Sequence, residues 1–453
     1  MKNERIRTLL TTSLILLLLL VIVLQAGAQD PTHYPTQTPY PTQTPYPTFT
    51  PVGEAGAVEF APAVEGGVVD ELGGTKTGDT SVVWSVANRV FESRYPEGMF
   101  FSVQITSSAA EIVQARVVWT HAMRFQNTQP AQEIDGASGN LSATWESDSR
   151  PPWLEVDYWW EVTDANGNGY ITSMVSEEYV DHTPGRNWMR GESGDIVVIG
   201  IDVSQQGIDL ALDAMVQQRE TYRQAWGDIL PYRPRAILFG DLDVWQEWQR
   251  AMFDVADAPT VRVGMTVSAW GATVQRILGD DLADLAYATL PHEVGHLYQD
   301  WFSPSGFAAA DWFSEGDASF FELYQDYDYE ERIREIAAQG QLPPLLNGTG
   351  PDRASDGPDG RGRFGYDIGY TFVKWLVDTY GLEGHQKLIT LMQDVNTSRN
   401  EALEQLTGMT IFEIEMAWRV WLGASGPPPT ILPTFTPMTF PSPTPFLIPT
   451  SPG

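Results

Sequence analysis

Alternating apolar and polar positions mark the first folded part of the chain, from about residue 76 to residue 184. Side chains of a β-strand point to opposite faces in turn, so these runs predict strands, and Gly, Asn and Asp turns separate them. Short strands at this spacing over roughly 100 residues are typical of an immunoglobulin-like or fibronectin-like β-sandwich. Clear examples are the runs at 100–105, 115–119 and 154–160.

After residue 187 the pattern changes, and longer amphipathic segments appear between short apolar runs. A small mixed sheet followed by a helical half predicts an α+β domain over 187–424. The individual predictions are strands at 195–203 and 235–239, helices at 206–226 and 244–253, one or two strands within 261–277, and mainly helices at 281–422.

The segment 164–169, Asp-Ala-Asn-Gly-Asn-Gly, matches the first half of a calcium-binding loop. The twelfth position of such a loop needs a bidentate carboxylate, but Val175 stands there. Because the segment also joins two strand-like runs, we expect a hairpin turn rather than a calcium site.

Both ends of the chain differ from the folded part. A basic segment, an apolar run at 9–24 and the small residues Ala26-Gly27-Ala28 are typical of an export signal at 1–28. The run is short for a bilayer span, so we expect cleavage rather than retention as an anchor. The prediction is a secreted or cell-surface-associated protein without stable membrane insertion after cleavage.

A linker is predicted at 29–75 and a tail at 425–453, and proline and threonine dominate residues 29–52 of the linker and the tail. Proline at this density prevents helices and sheet ladders, so both segments are predicted to be extended spacers.

Charge and cysteine content limit the chemistry. The net charge is −32, from 59 acidic and 27 basic residues, so the surface repels phosphate backbones and nucleic acid is excluded as a partner. The chain has no cysteine. Thiol chemistry is thereby excluded, and any metal site must be built from His, Asp and Glu.

Residues 292–296 read His-Glu-Val-Gly-His. On a helix the two histidines lie one turn apart and can bind one ion, while Glu293 can reach a metal-bound water. The alternative is an ordinary amphipathic helix with two surface histidines. A catalytic zinc needs three protein ligands and an open position. Glu315 follows His296 with eighteen residues between, in a segment that also looks helical, and can complete the set.

Glu322 lies two helical turns beyond Glu315 and on the same face. It can orient a histidine ligand by a hydrogen bond, or it can be a solvated helix carboxylate.

The spacing His-Glu-x-x-His, eighteen residues, then Glu within Trp-x-x-Glu-Gly-x-Ala resembles the gluzincin metallopeptidases, most closely the peptidase MA-like family and more distantly aminopeptidase-N-type enzymes. Segments 365–381 and 401–418 are similar to helices that these families carry after the zinc helices. The resemblance covers roughly residues 190–423, and a β-sandwich is a common companion domain.

The resemblance implies zinc (Zn²⁺) bound by His292, His296 and Glu315, with Glu293 as general base. It also implies a tyrosine that stabilises the oxyanion, for which Tyr366 is the first choice and Tyr370 the second. The alternative role of either tyrosine is packing between helices. The substrate would be a peptide or protein, and nothing in the sequence indicates the oligomeric state.

One segment departs from the aminopeptidases, whose Gly-x-Met-Glu-Asn sequence uses its Glu to hold the free amine of the substrate. The corresponding segment here, 263–270, reads Val-Gly-Met-Thr-Val-Ser-Ala-Trp and contains no acidic residue. Exopeptidase action is therefore not expected. As an edge strand, the segment can instead pair with an extended peptide.

Two other functions remain open from the sequence. One is a non-catalytic cell-surface binding protein on a metallopeptidase scaffold, and the other is zinc-dependent hydrolysis of a different bond, such as an amide in a cell-wall polymer. The Gly- and Asp-rich loop at 351–365 is predicted to be either a mobile flap or disordered.

Overall fold

A computed structural model describes residues 67–123, 125–146, 150–253, 264–277, 282–307, 311–346, 348 and 350–424. The predicted export signal, nearly all of the predicted linker and the predicted tail lie outside these residues. The described elements all belong to one compact unit, Glu59–Gly453. No helix in this described part of the chain is long and apolar enough to cross a membrane.

The first half of the fold is built from two antiparallel sheets, as its alternating pattern predicts. The larger sheet has seven strands in the order β1-β2-β10-β9-β5-β6, with β11 also paired to β9, and the smaller has the order β3-β4-β8-β7. Their bounds are β1 (Val68–Val69), β2 (Thr75–Thr77), β3 (Trp84–Arg94), β4 (Gly98–Ser107), β5 (Ile112–His121), β6 (Phe125–Pro130), β7 (Glu133–Asp135), β8 (Asn140–Glu146), β9 (Glu155–Asp164), β10 (Gly169–Ile171) and β11 (Val175–Glu178).

The two sheets pack face to face through aromatic side chains. The ring of Phe101 on β4 lies 5.7 Å from that of Trp119 on β5 and 5.2 Å from that of Tyr158 on β9. The alternating burial along β4 places its apolar residues on this inner face. The short strands β1 and β2 begin upstream of residue 76, where the sandwich was predicted to start. The sequence pattern did not indicate them, because strands of two or three residues leave no periodic signal.

Residues 164–169 form the hairpin turn between β9 and β10, as predicted. The Asp164 carboxylate accepts hydrogen bonds from the backbone N–H groups of Asn166 and Asn168 and from the side chains of Asn168 and Ser107. These donors occupy the carboxylate oxygens that a calcium site would use.

A third sheet follows, which is mixed and has five strands in the order β12-β13-β14-β16-β15. The pairs β13–β14 and β14–β16 are parallel, while β15 lies antiparallel to β16 at one edge. The elements are β12 (Trp188–Glu192), β13 (Val197–Ile201), α1 (Gln205–Trp226), β14 (Arg235–Phe239), α2 (Leu242–Phe253), β15 (Gly264–Val267) and β16 (Ala272–Arg276). The predicted strands and helices of this region all form, within a few residues at their ends.

Arg235 joins the first half of the fold to the five-stranded sheet. Its side chain is 5% exposed, and it donates to the Trp153 carbonyl at 2.8 Å and to Glu155 at 3.0 Å, and pairs with Glu178. One hydrophobic core runs across the same junction, and Met265 on β15 packs against it. The sandwich therefore supports β15, the edge strand of the five-stranded sheet.

Helices dominate the described residues between 282 and 424, as predicted. They are α3 (Leu282–Asp284), a π-helical segment (Leu285–Thr289), α4 (Leu290–Phe302), α5 (Trp312–Phe320), α6 (Tyr329–Ala338), α7 (Phe364–Met392), α8 (Arg399–Thr407) and α9 (Ile411–Leu422). The helical core is centred on Trp312, Phe372 and Trp418, which are at most 1% exposed. This combination of antiparallel β-sheets and a helical C-terminal part confirms the predicted β-plus-helical architecture.

Candidate metal centre and active-site cleft

Helix α4 carries both histidines of the motif on one face. His292 and His296 are one turn apart, and their ring centroids lie 5.0 Å from each other. The opposite face buries Val294 and Leu297 completely. The Pro291 carbonyl accepts a hydrogen bond of 2.6 Å from the hydroxyl of the buried Tyr222 on α1, which fixes the start of the helix.

Small residues bring Glu315 to the histidines. A methyl group added at Gly295 of α4 would lie 3.4 Å from the Cα of Ala318 on α5, so the two helices cross closely at this point. Glu315 Oε2 then lies 3.3 Å from Nε2 of His292 and 3.2 Å from Nε2 of His296. Gly316 likewise packs against the backbone of Gly369 on α7. Close helix packing therefore explains the small residues Gly316 and Ala318 of the Trp-x-x-Glu-Gly-x-Ala segment.

The three side chains form a candidate metal-binding triad. One ligand atom from each of His292, His296 and Glu315 lies within 4.8 Å of the other two. Two imidazole nitrogens and one carboxylate oxygen are donors that zinc accepts at a site with an open position. These residues therefore fit the metal that the sequence predicts, although the identity of the metal does not follow from the geometry.

Neighbouring charged side chains shift the pKa values of His292 and Glu315 in opposite directions. Burial alone lowers the pKa of His292, but its hydrogen bonds with Glu315 and Glu322 outweigh this effect and raise the pKa to about 10. Burial alone raises the pKa of Glu315, yet both histidines outweigh it and hold that pKa far below its usual range. A metal ion must displace the His292 proton to bind there.

Glu322 is the orienting partner of His292. Its Oε1 lies 2.9 Å from His292 Nδ1, and its Oε2 accepts a hydrogen bond of 2.8 Å from the Tyr329 hydroxyl. The structure thus decides between the two roles predicted for Glu322, because this carboxylate is 4% exposed and not a solvated one. With Nδ1 engaged, Nε2 of His292 faces the triad.

A different chain of contacts, which the sequence did not predict, holds His296. Its Nδ1 lies 2.8 Å from Gln299 Oε1, and Gln299 Nε2 donates to Asp317 at 3.0 Å. Asp317 in turn lies 2.6 Å from Nε2 of the buried His385, whose Nδ1 is 2.8 Å from the Ala225 carbonyl. Burial lowers the pKa of His385, but Asp317 outweighs it, so that the pKa is raised.

Glu293 lines the same cleft as the triad and lies next to the edge strand β15. Its Oε2 accepts a hydrogen bond of 2.6 Å from the Thr266 hydroxyl, which also lies 2.7 Å from the Glu293 carbonyl. A methyl group at Gly264 would lie 2.6 Å from Glu293 Oε1, so a side chain at this position would displace the carboxylate from its present place. Thr266, within the segment whose sequence departs from the aminopeptidases, thus places a hydroxyl on the Glu293 carboxylate.

The two candidate tyrosines differ in position. The ring of Tyr366 lies 5.8 Å from that of His292, and Tyr366 lines the cleft. Tyr370, one turn further along α7, packs against Tyr329 at 5.5 Å and is not among the described residues that line the cleft. Of the two, the structure brings Tyr366 to the candidate site.

The triad, Glu293 and Tyr366 lie in one open cleft of about 670 Å³. A cleft of this volume is within the usual range of ligand sites. The described residues that line it are Gly264, Met265, Thr266, Ser268, His292, Glu293, His296, Gln299, Asp300, Phe307, Ser314, Glu315, Arg353, Ala354 and Tyr366.

The loop that follows α6 also contributes to the cleft. Arg332 of α6 is 2% exposed and bonds Asp367 at 2.7 Å, Asp359 at 2.7 and 2.9 Å, and the carbonyl groups of Arg361 and Gly362. The described loop residues are therefore anchored to α6 and α7, and the prediction of a disordered segment is wrong for them.

We expect Glu322→Gln to lower the zinc affinity by about 10- to 100-fold, the usual effect of removing a carboxylate that orients a histidine ligand. Zinc competition with a chromophoric chelator measures the change. The exposed Glu331 on α6 provides the control, since Glu331→Gln removes the same charge outside the site. Equal affinities of the two variants would show that the Glu322 contact does not support metal binding.

Comparisons with known proteins identify no relatives by sequence. No family model and no curated protein matches the chain. Among solved structures, the chain shows a likeness to BC0361, a polysaccharide deacetylase from Bacillus cereus, with a TM-score of 0.18 and 9% identity. The likeness covers 46% of this chain and 66% of that protein, less than two thirds of its length, and at this score it carries no argument about fold or function.

Proposed function

We propose that the protein is a secreted zinc metallopeptidase that hydrolyses peptide bonds. The observation that carries the proposal is the approach of His292, His296 and Glu315 to within 4.8 Å, beside Glu293 in one open cleft. Two histidines and one carboxylate leave a fourth position of a tetrahedral zinc site for water, the arrangement of zinc hydrolases. The anchored partners of both histidines support a site built for a metal rather than two surface histidines.

Each residue of the site has a separate role in the proposed hydrolysis. Zinc held by His292, His296 and Glu315 would supply Lewis acidity and lower the pKa of a bound water. Glu293 would take a proton from the attacking water and give it to the leaving amine. Thr266 holds the Glu293 carboxylate in position through its 2.6 Å hydrogen bond. Tyr366 would donate a hydrogen bond from its hydroxyl to the oxygen on which negative charge develops.

Cleavage within a chain fits the cleft better than removal of an N-terminal residue. Strand β15 is paired with β16 along one side, and Gly264, Met265 and Thr266 of this strand line the cleft in which an extended substrate would lie. Thr266, at the position where the aminopeptidases hold the substrate amine, is bonded to Glu293 instead. Thr266 itself offers no carboxylate to a free amine.

Digestion of peptides with free and with acetylated N-termini tests this function, with the products identified by mass spectrometry. Internal cleavage of both sets by the zinc-loaded protein is the expected result. Cleavage restricted to free N-termini would make it an aminopeptidase. No cleavage of either set would overturn the proposal in favour of a binding protein or a hydrolase of another bond.

Tyr366→Phe is expected to lower kcat by about 100-fold and to change KM little, because one hydrogen bond to the developing oxyanion is lost. Tyr370→Phe makes the same chemical change one helical turn away and should leave kcat within about twofold, since Tyr370 lies outside the described cleft lining. Steady-state kinetics on one internally cleaved peptide compares them. Equal losses in both variants, or a loss only in Tyr370→Phe, would remove Tyr366 from this role.

A further inference from the structure

Arg353 is the one Arg or Lys side chain among the described residues that line the cleft. Its Nη1 lies 2.6 Å from Glu315 Oε1, while Glu315 Oε2 faces the two histidines. The guanidinium thus contacts the Glu315 oxygen that does not face the histidines. A substrate carbonyl at the metal position therefore has its neighbouring residues within reach of Arg353, since an extended chain advances about 3.3–3.6 Å per residue.

Within the described part of the chain, Arg353 uses few of its hydrogen-bond donors. A guanidinium carries five N–H donors, and within the described residues Glu315 is the one side chain that accepts from it. The side chain is 44% exposed, in contrast to the 3% of its partner Glu315. A planar group with unused donors at the wall of a cleft matches a carboxylate, which it binds through two parallel hydrogen bonds.

The backbone holds Arg353 where it is. Its carbonyl accepts a hydrogen bond of 3.2 Å from the N–H of Gly365, the second residue of α7. A methyl group at Gly365 would lie 2.4 Å from the Arg353 Cα, so only glycine permits this close approach. The rest of the loop is fastened by Arg332, with its side chain 1% exposed. Arg353 is therefore presented to the cleft in advance, and little ordering is required on binding.

We propose that Arg353 is a specificity-determining residue that receives a substrate carboxylate next to the scissile bond. The carboxylate comes either from an Asp or Glu side chain or from the C-terminus of the substrate. This inference rests on the proposed peptidase function and names a substrate class for it. The protein as a whole carries a charge of −32, so a preference for acidic substrates cannot come from its overall field and depends on this local cation.

Matched peptides test the proposal. Glu and Gln are exchanged at each position beside the cleaved bond, and each peptide is made with a free or an amidated C-terminus. The ratio of kcat/KM between acidic and neutral partners is measured for the wild type, Arg353→Gln and Arg361→Gln. Arg361 is an exposed arginine on the same loop, paired with Asp359 and absent from the described cleft lining. Because the ratio is taken within one variant, a change in zinc occupancy cancels.

We expect the wild type and Arg361→Gln to prefer a carboxylate at one position by about tenfold or more, and Arg353→Gln to lose that preference. Preference for Glu over Gln identifies a side chain as the source, and preference for acid over amide identifies the C-terminus. Equal ratios in wild type and Arg353→Gln would overturn the proposal and leave the peptidase function intact.

Binding of the same peptides to zinc-loaded Glu293→Gln, with and without Arg353→Gln, separates the two failures. Carboxylate-dependent affinity that disappears with Arg353 supports the inference even in the absence of cleavage. If the wild type cleaves no peptide and affinity does not depend on the carboxylate, both the function and the inference are refuted.

Discussion

Glu293→Gln is expected to bind zinc as the wild type does and to cleave peptides about 100- to 10,000-fold more slowly. The range is that of a lost general base. Gln has the shape of Glu and still accepts the Thr266 hydrogen bond, but it cannot take a proton from water. Because Glu293 is not part of the triad, the metal keeps all three ligands. Zinc content by mass spectrometry of the metal and single-turnover cleavage of one peptide measure the two properties separately.

Glu335→Gln is the matched control for this variant, since Glu335 is an exposed carboxylate on α6. It should keep both zinc and turnover. Retained turnover in Glu293→Gln would remove this residue from the mechanism, whereas a loss of zinc would show that Glu293 acts on the metal and not on water.

The second large effect is expected from Glu315→Ala, which should lower the zinc affinity by at least roughly a hundredfold. Changes in residues that only orient a ligand already reach that size, so the loss of a ligand itself should be no smaller. The variant also leaves Arg353 without its carboxylate partner and the two histidines without the group that lies 3.2–3.3 Å from their Nε2 atoms. Equilibrium dialysis at buffered free zinc gives the affinity, and circular dichroism verifies the fold.

Glu293→Gln serves as the comparison for Glu315→Ala, because both remove one carboxylate from the same cleft. The expected pattern is zinc without turnover in Glu293→Gln and neither in Glu315→Ala. Wild-type zinc affinity in Glu315→Ala would remove Glu315 from the ligand set.

The candidate triad could be predicted because helical geometry is local. Two histidines at i and i+4 share a face of any helix. Glu322 does reach His292, but helix α5 ends at Phe320, so Glu322 lies beyond the helix and its contact does not follow from the predicted helical spacing. The sandwich strands were likewise visible as alternation, which each strand expresses within its own sequence. These predictions require no knowledge of how distant segments pack.

The support of His296 could not be predicted for the opposite reason. Asp317 and His385 lie 68 positions apart and meet only because α5 packs on α7. Arg332 contacts a loop that has no periodic pattern, and Arg353 lies in that loop and contacts Glu315 of α5. A buried arginine cannot be told from a solvated one by its sequence neighbours, so the anchored loop and the cation in the cleft required the structure.

Zinc titration of the metal-free protein tests the metallopeptidase proposal most directly. The protein is stripped with a chelator, zinc is returned in steps, and cleavage of one peptide is followed at each step beside Glu293→Gln. The proposal predicts that activity is absent without metal, rises in proportion to bound zinc up to one ion per chain, and does not appear in Glu293→Gln. Cleavage that survives removal of the metal, or zinc bound at one per chain without cleavage of any peptide, would contradict it.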